Sequence, residues 1–119
     1  MKQEHKELLL RDLCARLPYG IKASFYGADE ECETWDEVDG VAFDYVEIGQ
    51  YSLPIERIKP YLFPMSSMTE EQEKEWSYTL SSDYNITYDT VDWCNKNHFD
   101  YRGLIPMGLA IDATGLNIY

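Results

Sequence analysis

Two prolines four residues apart decide how this chain can be divided. Lys59–Leu80 reads KPYLFPMSSMTEEQEKEWSYTL. Pro60 and Pro64 bracket Tyr61, Leu62 and Phe63 and bias them toward extended or turn conformations. The segment therefore cannot continue a helix. It separates an N-terminal half that reads as a helix plus a small sheet from a C-terminal half that reads as helices and a tail. Tyr61, Leu62 and Phe63, with Met65 and Met68, are expected to plug the core between the two halves. If exposed instead, the Tyr61–Met68 patch would be a soft partner surface, Met and aromatics being enriched at such places, and could join two copies in a structural homodimer.

In the first half, Leu9, Leu13 and Leu17 recur at i+4 with Leu10 and Cys14 beside them, predicting a helix over Glu4–Leu17 with Cys14 in the core. Glu7–Arg11 and Asp12–Arg16 are acid-to-base i,i+4 pairs in the favourable order. Pro18 stops this helix and Gly20 permits a turn. Tyr19–Tyr26 alternates as a half-buried strand. Asp39-Gly40 is a hairpin signal between strands Thr34–Val38 and Val41–Ile48. The second of these is apolar on both faces and reads as central. Gly49-Gln50 is a further turn before a short strand, Tyr51–Leu53, that Pro54 confines to an edge. A helical turn is expected before Pro60.

In the second half, Thr69 with Gln72 forms a capping-box signature, and Gln72, Trp76 and Leu80 make a narrow inward stripe. Glu71, Glu75 and Tyr78 then face water. Ser81–Ile86 reads as a polar linker. Thr87 or Asp89 caps a short helix ending near Asn97, with Val91 and Cys94 inward. Leu109 and Ile111 can add to a sheet edge. The expected fold is α+β and a single domain over 1–119: an N-terminal helix, a three- to four-stranded antiparallel meander, and two or three short C-terminal helices. A chain of 119 residues can bury such a core without a disulfide or metal.

Charge narrows function. The formal net charge is −12. Residues 1–22 carry five Lys/Arg against three acids, so the remainder holds a net of −14. No base occurs between Asp29 and Glu47. Direct nucleic-acid binding needs clustered Lys/Arg and is not expected. An anionic membrane would be repelled, and no stretch approaches a span. A basic protein surface would be attracted. Asp36 and Glu37 from the acidic 29–47 region and Glu71, Glu75 and Tyr78 from the later helix are the candidate contact residues.

Other chemistry is thinly represented. His98, Asp100, Tyr101 and Arg102 lie close enough in sequence for acid–base work on an anionic substrate or for holding a small molecule, although His98 as a helix C-cap beside an Asp100–Arg102 pair explains them too. The acids of 29–39 lack the D-x-D-x-D-G order of a calcium loop. Cys14, Cys32 and Cys94 have no zinc spacing. No metal and no cofactor are expected. MKQEHKELLL is too short in its apolar run for a signal peptide, and this, with three cysteines odd in number and far apart, points to a reducing, cytoplasmic setting.

RDLCARLPYGIK, IKPYLFPMSSMTEEQ and HFDYRGLIPMGLA together resemble a family of small proteins of gut bacteria, often carried in prophage-like or mobile elements. The resemblance runs from Leu8 to about Ala110. It implies context, an accessory protein of possible phage origin, and brings no activity, cofactor or catalytic residue. Phe63 and Cys94 depart from it, standing where a polar or basic and an aliphatic residue are expected.

Overall fold

A computed structural model describes residues 1–26 and 33–119. Helix α1 spans Gln3–Arg16. Four strands follow, β1 (Lys22–Tyr26), β2 (Glu33–Ala42), β3 (Tyr45–Ile48) and β4 (Tyr51–Pro54), then β5 (Ile58–Leu62), helices α2 (Glu70–Thr79) and α3 (Tyr88–Lys96), and a short β6 (Ile111–Asp112). The class is α+β as expected, with a larger sheet. Six strands lie in the order β4-β3-β2-β1-β5-β6. All neighbours are antiparallel except β5 and β6.

Helix α1 buries Leu9, Asp12, Leu13 and Arg16. This is the i, i+3, i+4, i+7 face of a helix. Cys14, expected in the core, is exposed. It lies roughly 140° around the helix from Leu9. The buried ion pair takes the centre of the face that an all-apolar stripe would have occupied. Leu17, Pro18 and Tyr19 form a 3-10 turn that ends on Gly20 in the left-handed region. The first strand therefore starts at Lys22 rather than Tyr19. A side chain at Gly20 would also come within 2.8 Å of the Glu37 carboxylate.

Asp39-Gly40 is not the hairpin turn. Both residues lie inside β2, where the register with β3 slips between Val38 and Gly40. The glycine marks a bulge, a common role for Gly within a strand. The chain reverses instead at Phe43-Asp44, with Phe43 at φ 57°. This register directs Val38, Val46 and Ile48 into one core. Phe43 stays 95% exposed and Tyr45 is exposed too, so β3 is covered on one face only.

Strand β5 replaces the helical turn expected up to Pro60; only Ile55–Arg57 coils, as a 3-10 turn. Pro60 pairs with Ala23 of β1. The Leu62 carbonyl accepts from Ala113 on the β6 side, and backbone direction alternates along a strand. The missing Pro60 donor thus points toward β6, which runs beside only Tyr61 and Leu62. No ladder bond is lost. Ile58 and Leu62 join the main core with Leu9, Leu13, Phe25 and Leu104. Tyr61 faces the other way and packs with Ala113 and Ile118. The central plug is real for Tyr61 and Leu62, while Phe63, Met65 and Met68 are half-buried.

The two later helices start at capping boxes, Thr69 with Gln72 and Thr87 with Thr90. A knot of threonines ties them together. The hydroxyls of Thr87 and Thr90 both donate to the Thr79 carbonyl, at 2.7 and 3.0 Å. Helix α2 has no fully buried residue. Gln72, Trp76 and Leu80 form its half-buried stripe, and it packs on α3. Among the described residues, no helix is long and apolar enough to cross a membrane.

Candidate functional site

The His98–Arg102 segment follows α3, and Asp100 and Arg102 in it are held by different partners. His98 sits in the left-handed region at φ 63°. Its ring stacks on Tyr119, with centroids 3.7 Å apart and planes within 9°. Its Nδ1 is buried without a hydrogen-bond partner among the described residues. Burial, then the positive charges of Arg16 and Lys22, push the imidazole down to about 4, so it is neutral at ordinary pH. Asp100 does not pair with Arg102. Its two carboxylate oxygens accept from the backbone N–H groups of Leu104 and Ile105 at 2.8 and 2.9 Å.

Arg102 reaches instead to α1, where its Nε donates to Asp12 Oδ1 at 3.1 Å. Asp12 Oδ2 accepts from Arg16 Nε at 2.9 Å, with both side chains fully buried. The Arg16 guanidinium also donates to the backbone carbonyls of Phe99 and Cys94, at 2.7 and 3.4 Å. Tyr101 lies beneath both guanidinium groups, 5.3 and 4.9 Å from its ring centre. Its hydroxyl accepts from Arg102 at 3.0 Å. Asp100 and Arg102 are thus turned to different partners, the Leu104 and Ile105 N–H groups and Asp12 respectively. The segment clamps α1 to the C-terminal half. The sequence signal for that clamp is the Asp12–Arg16 pair, whose burial local spacing does not reveal.

The acidic candidates stand on two separate elements. Asp36 and Glu37 are exposed on β2, where Asp36 Oδ1 accepts the Glu37 N–H at 2.7 Å. The acids at 29–31 lie outside the described residues. Glu71, Glu75 and Tyr78 are exposed on α2, with Tyr78 83% exposed. Glu75 accepts from the Trp93 indole of α3 at 3.3 Å. Strand β2 is separated from β5, which leads into α2, by β1. Among the described residues, no three His, Cys, Asp or Glu side chains come together to hold a metal ion.

Beside the α2 acids lies an apolar groove. One hollow of ≈ 390 Å³ is lined by Met65, Met68, Glu73 and Trp76. A second, of ≈ 70 Å³, shares Met65 and Trp76 and adds Ile86, Val91, Cys94 and Tyr101. A third, of ≈ 310 Å³, continues over Ile86, Tyr88 and Val91. The Trp76 indole Nε1 is buried and lacks an acceptor among the described residues. Burial raises the Cys94 thiol, keeping it protonated and unreactive. Ile86 was hidden in the sequence inside a polar linker. Ile86 and its neighbours Tyr84 and Tyr88 are 69%, 83% and 92% exposed, a bulky apolar cluster that a solvated linker does not need.

Compared with known proteins, the chain matches no family model, no curated protein and no solved structure.

Proposed function

We propose that the chain is a non-catalytic binding protein that docks an acidic face, centred on α2, onto a basic protein surface. The observation that carries this reading is the state of α2 and α3. Glu70, Glu71, Glu73, Glu75, Asp89 and Asp92 are all exposed, against Lys74 and Lys96. Among the described residues, Glu75 is the one of these acids whose carboxylate accepts a hydrogen bond, from the Trp93 indole. A solubilising role needs only charge, spread anywhere. Here the carboxylates flank exposed aromatic and aliphatic side chains, the mixture that protein interfaces favour.

The resemblance to proteins of mobile elements supports an accessory role. In its sharper form, the acidic face occupies the nucleic-acid site of a basic host protein. Capture from host lysate at low and high salt tests the reading. Partners held at low salt, lost at high salt and displaced by duplex DNA are expected, since such contacts are screened. Capture unaffected by salt would contradict it.

A further inference from the structure

We propose that the groove between α2 and α3 receives a basic amphipathic helix, whose apolar side chains enter between Met65, Met68, Trp76 and Val91 while its cations meet the acids on the rim. This rests on the acidic-docking reading above and adds the form of the ligand and its seat.

Two observations converge on this occupant. The floor is soft and apolar: two methionines that adapt to varied shapes, an indole and a valine line adjoining hollows of ≈ 390 and ≈ 70 Å³. The rim is acidic, with Glu73 lining the groove itself and Glu70, Asp89 and Asp92 exposed on the same two helices.

The secondary structure of the ligand follows from the walls. The two long walls, α2 and α3, are helices whose backbone groups are already paired and offer no edge to a strand, while Met65 and Met68 come from the 3-10 turn before α2. A segment laid on this apolar floor has to satisfy its own backbone. A helix presenting apolar anchors at i, i+3, i+4 and i+7 does so. Positive charge on its outer face matches the rim and excludes acidic helices.

The test uses the full chain and two synthetic Leu/Lys peptides of about four helical turns. One has leucines on a single helical face; the other has the same composition in scrambled order. Selective ¹³C-methyl labelling of methionine reports the groove through Met65 and Met68, while Met1 and Met107 serve as internal controls. The amphipathic peptide is expected to bind at least about tenfold more tightly than the scrambled one. It should shift the methyl signals of Met65 and Met68 and leave Met1 and Met107 in place. M65Q and M68Q, at half-buried positions outside the main core, should each remove most of that preference.

Equal binding of both peptides with no movement at Met65 or Met68 would overturn the groove assignment and leave the acidic-docking reading standing. Absence of binding by either peptide would remove both. A concentration-dependent dimer abolished by M68Q, seen by light scattering without peptide, would assign the groove to a second copy of the chain and also overturn the proposal.

Discussion

Asp12 and Arg16, one helical turn apart on α1, meet at 2.9 Å with neither side chain exposed to solvent. Such a pair is commonly a surface device of small value. Here it is the junction of the molecule. Arg16 carries the contact on to the Phe99 and Cys94 carbonyls, and Asp12 carries it on to Arg102. Removing one member leaves a buried charge without its counterpart. D12A is expected to cost about 3–5 kcal/mol in urea unfolding. R102A removes a partly exposed partner and should cost about 1 kcal/mol. Replacing both members with leucine and methionine should recover only part of the loss, because the Phe99 and Cys94 carbonyls would then lack their donor.

The position of the β2–β3 turn gives a second test. With Asp39-Gly40 inside β2, Gly40 is not in the left-handed region, and an added methyl would meet only Glu47 at 4.0 Å. G40A should therefore be close to neutral, within about 0.5 kcal/mol. Phe43 takes the strained turn position, fully in water. F43G should stabilise the chain by roughly 1 kcal/mol through relief of that conformation. The opposite ranking in thermal melts would restore the turn to Asp39-Gly40.

The hydroxyl of Tyr119 stands in for a missing ladder bond. It accepts from the Lys22 N–H at 3.0 Å and donates to the Tyr61 carbonyl at 2.8 Å, bridging β1 and β5. Burial raises its pKa well above the ordinary tyrosine value, so the hydroxyl keeps its proton. Y119F keeps the ring on His98 and leaves two backbone groups unpaired. The expected loss is about 1–3 kcal/mol, with faster amide exchange at Lys22 than in the wild type.

His98 supplies a pH dependence of known sign. Its imidazole titrates near 4 when folded and near 6.5 when free. Between those values the unfolded chain binds the proton and the folded chain does not. Stability from this source is complete above about pH 6.5 and declines as the pH falls toward 4. The size is on the order of 1–2 kcal/mol after allowance for solvent screening. H98N, which tolerates the positive φ, should flatten that part of the wild-type profile.

Local chemistry was the legible part of the sequence. Pro18 with Gly20, the Thr69–Gln72 box and the Thr87 cap act within a few residues, and each is found where its residues placed it. The misses are all long-range. Cys14 lost its core position to Asp12 and Arg16 because their partners at Phe99 and Arg102 lie more than eighty residues away. Asp39-Gly40 yielded to a register fixed by which face Val46 and Ile48 bury. β5 was hidden by Pro60, whose tolerance depends on how far β6 extends. In the candidate site, the wet face of Glu71, Glu75 and Tyr78 was readable from helical spacing. The groove was not, because it needs Met65, Trp76, Ile86 and Val91 from four separate stretches.

The docking role is decided most directly by comparing capture from host lysate by three baits: the wild type, E71Q/E75Q on α2, and E4Q/E7Q on α1. The second and third remove the same charge from exposed positions. If docking is centred on α2, E71Q/E75Q loses the salt-sensitive partner that the wild type retains, and E4Q/E7Q keeps it. Equal retention by all three baits, or equal loss from both variants, would contradict an α2-centred site and leave the acidity as bulk charge.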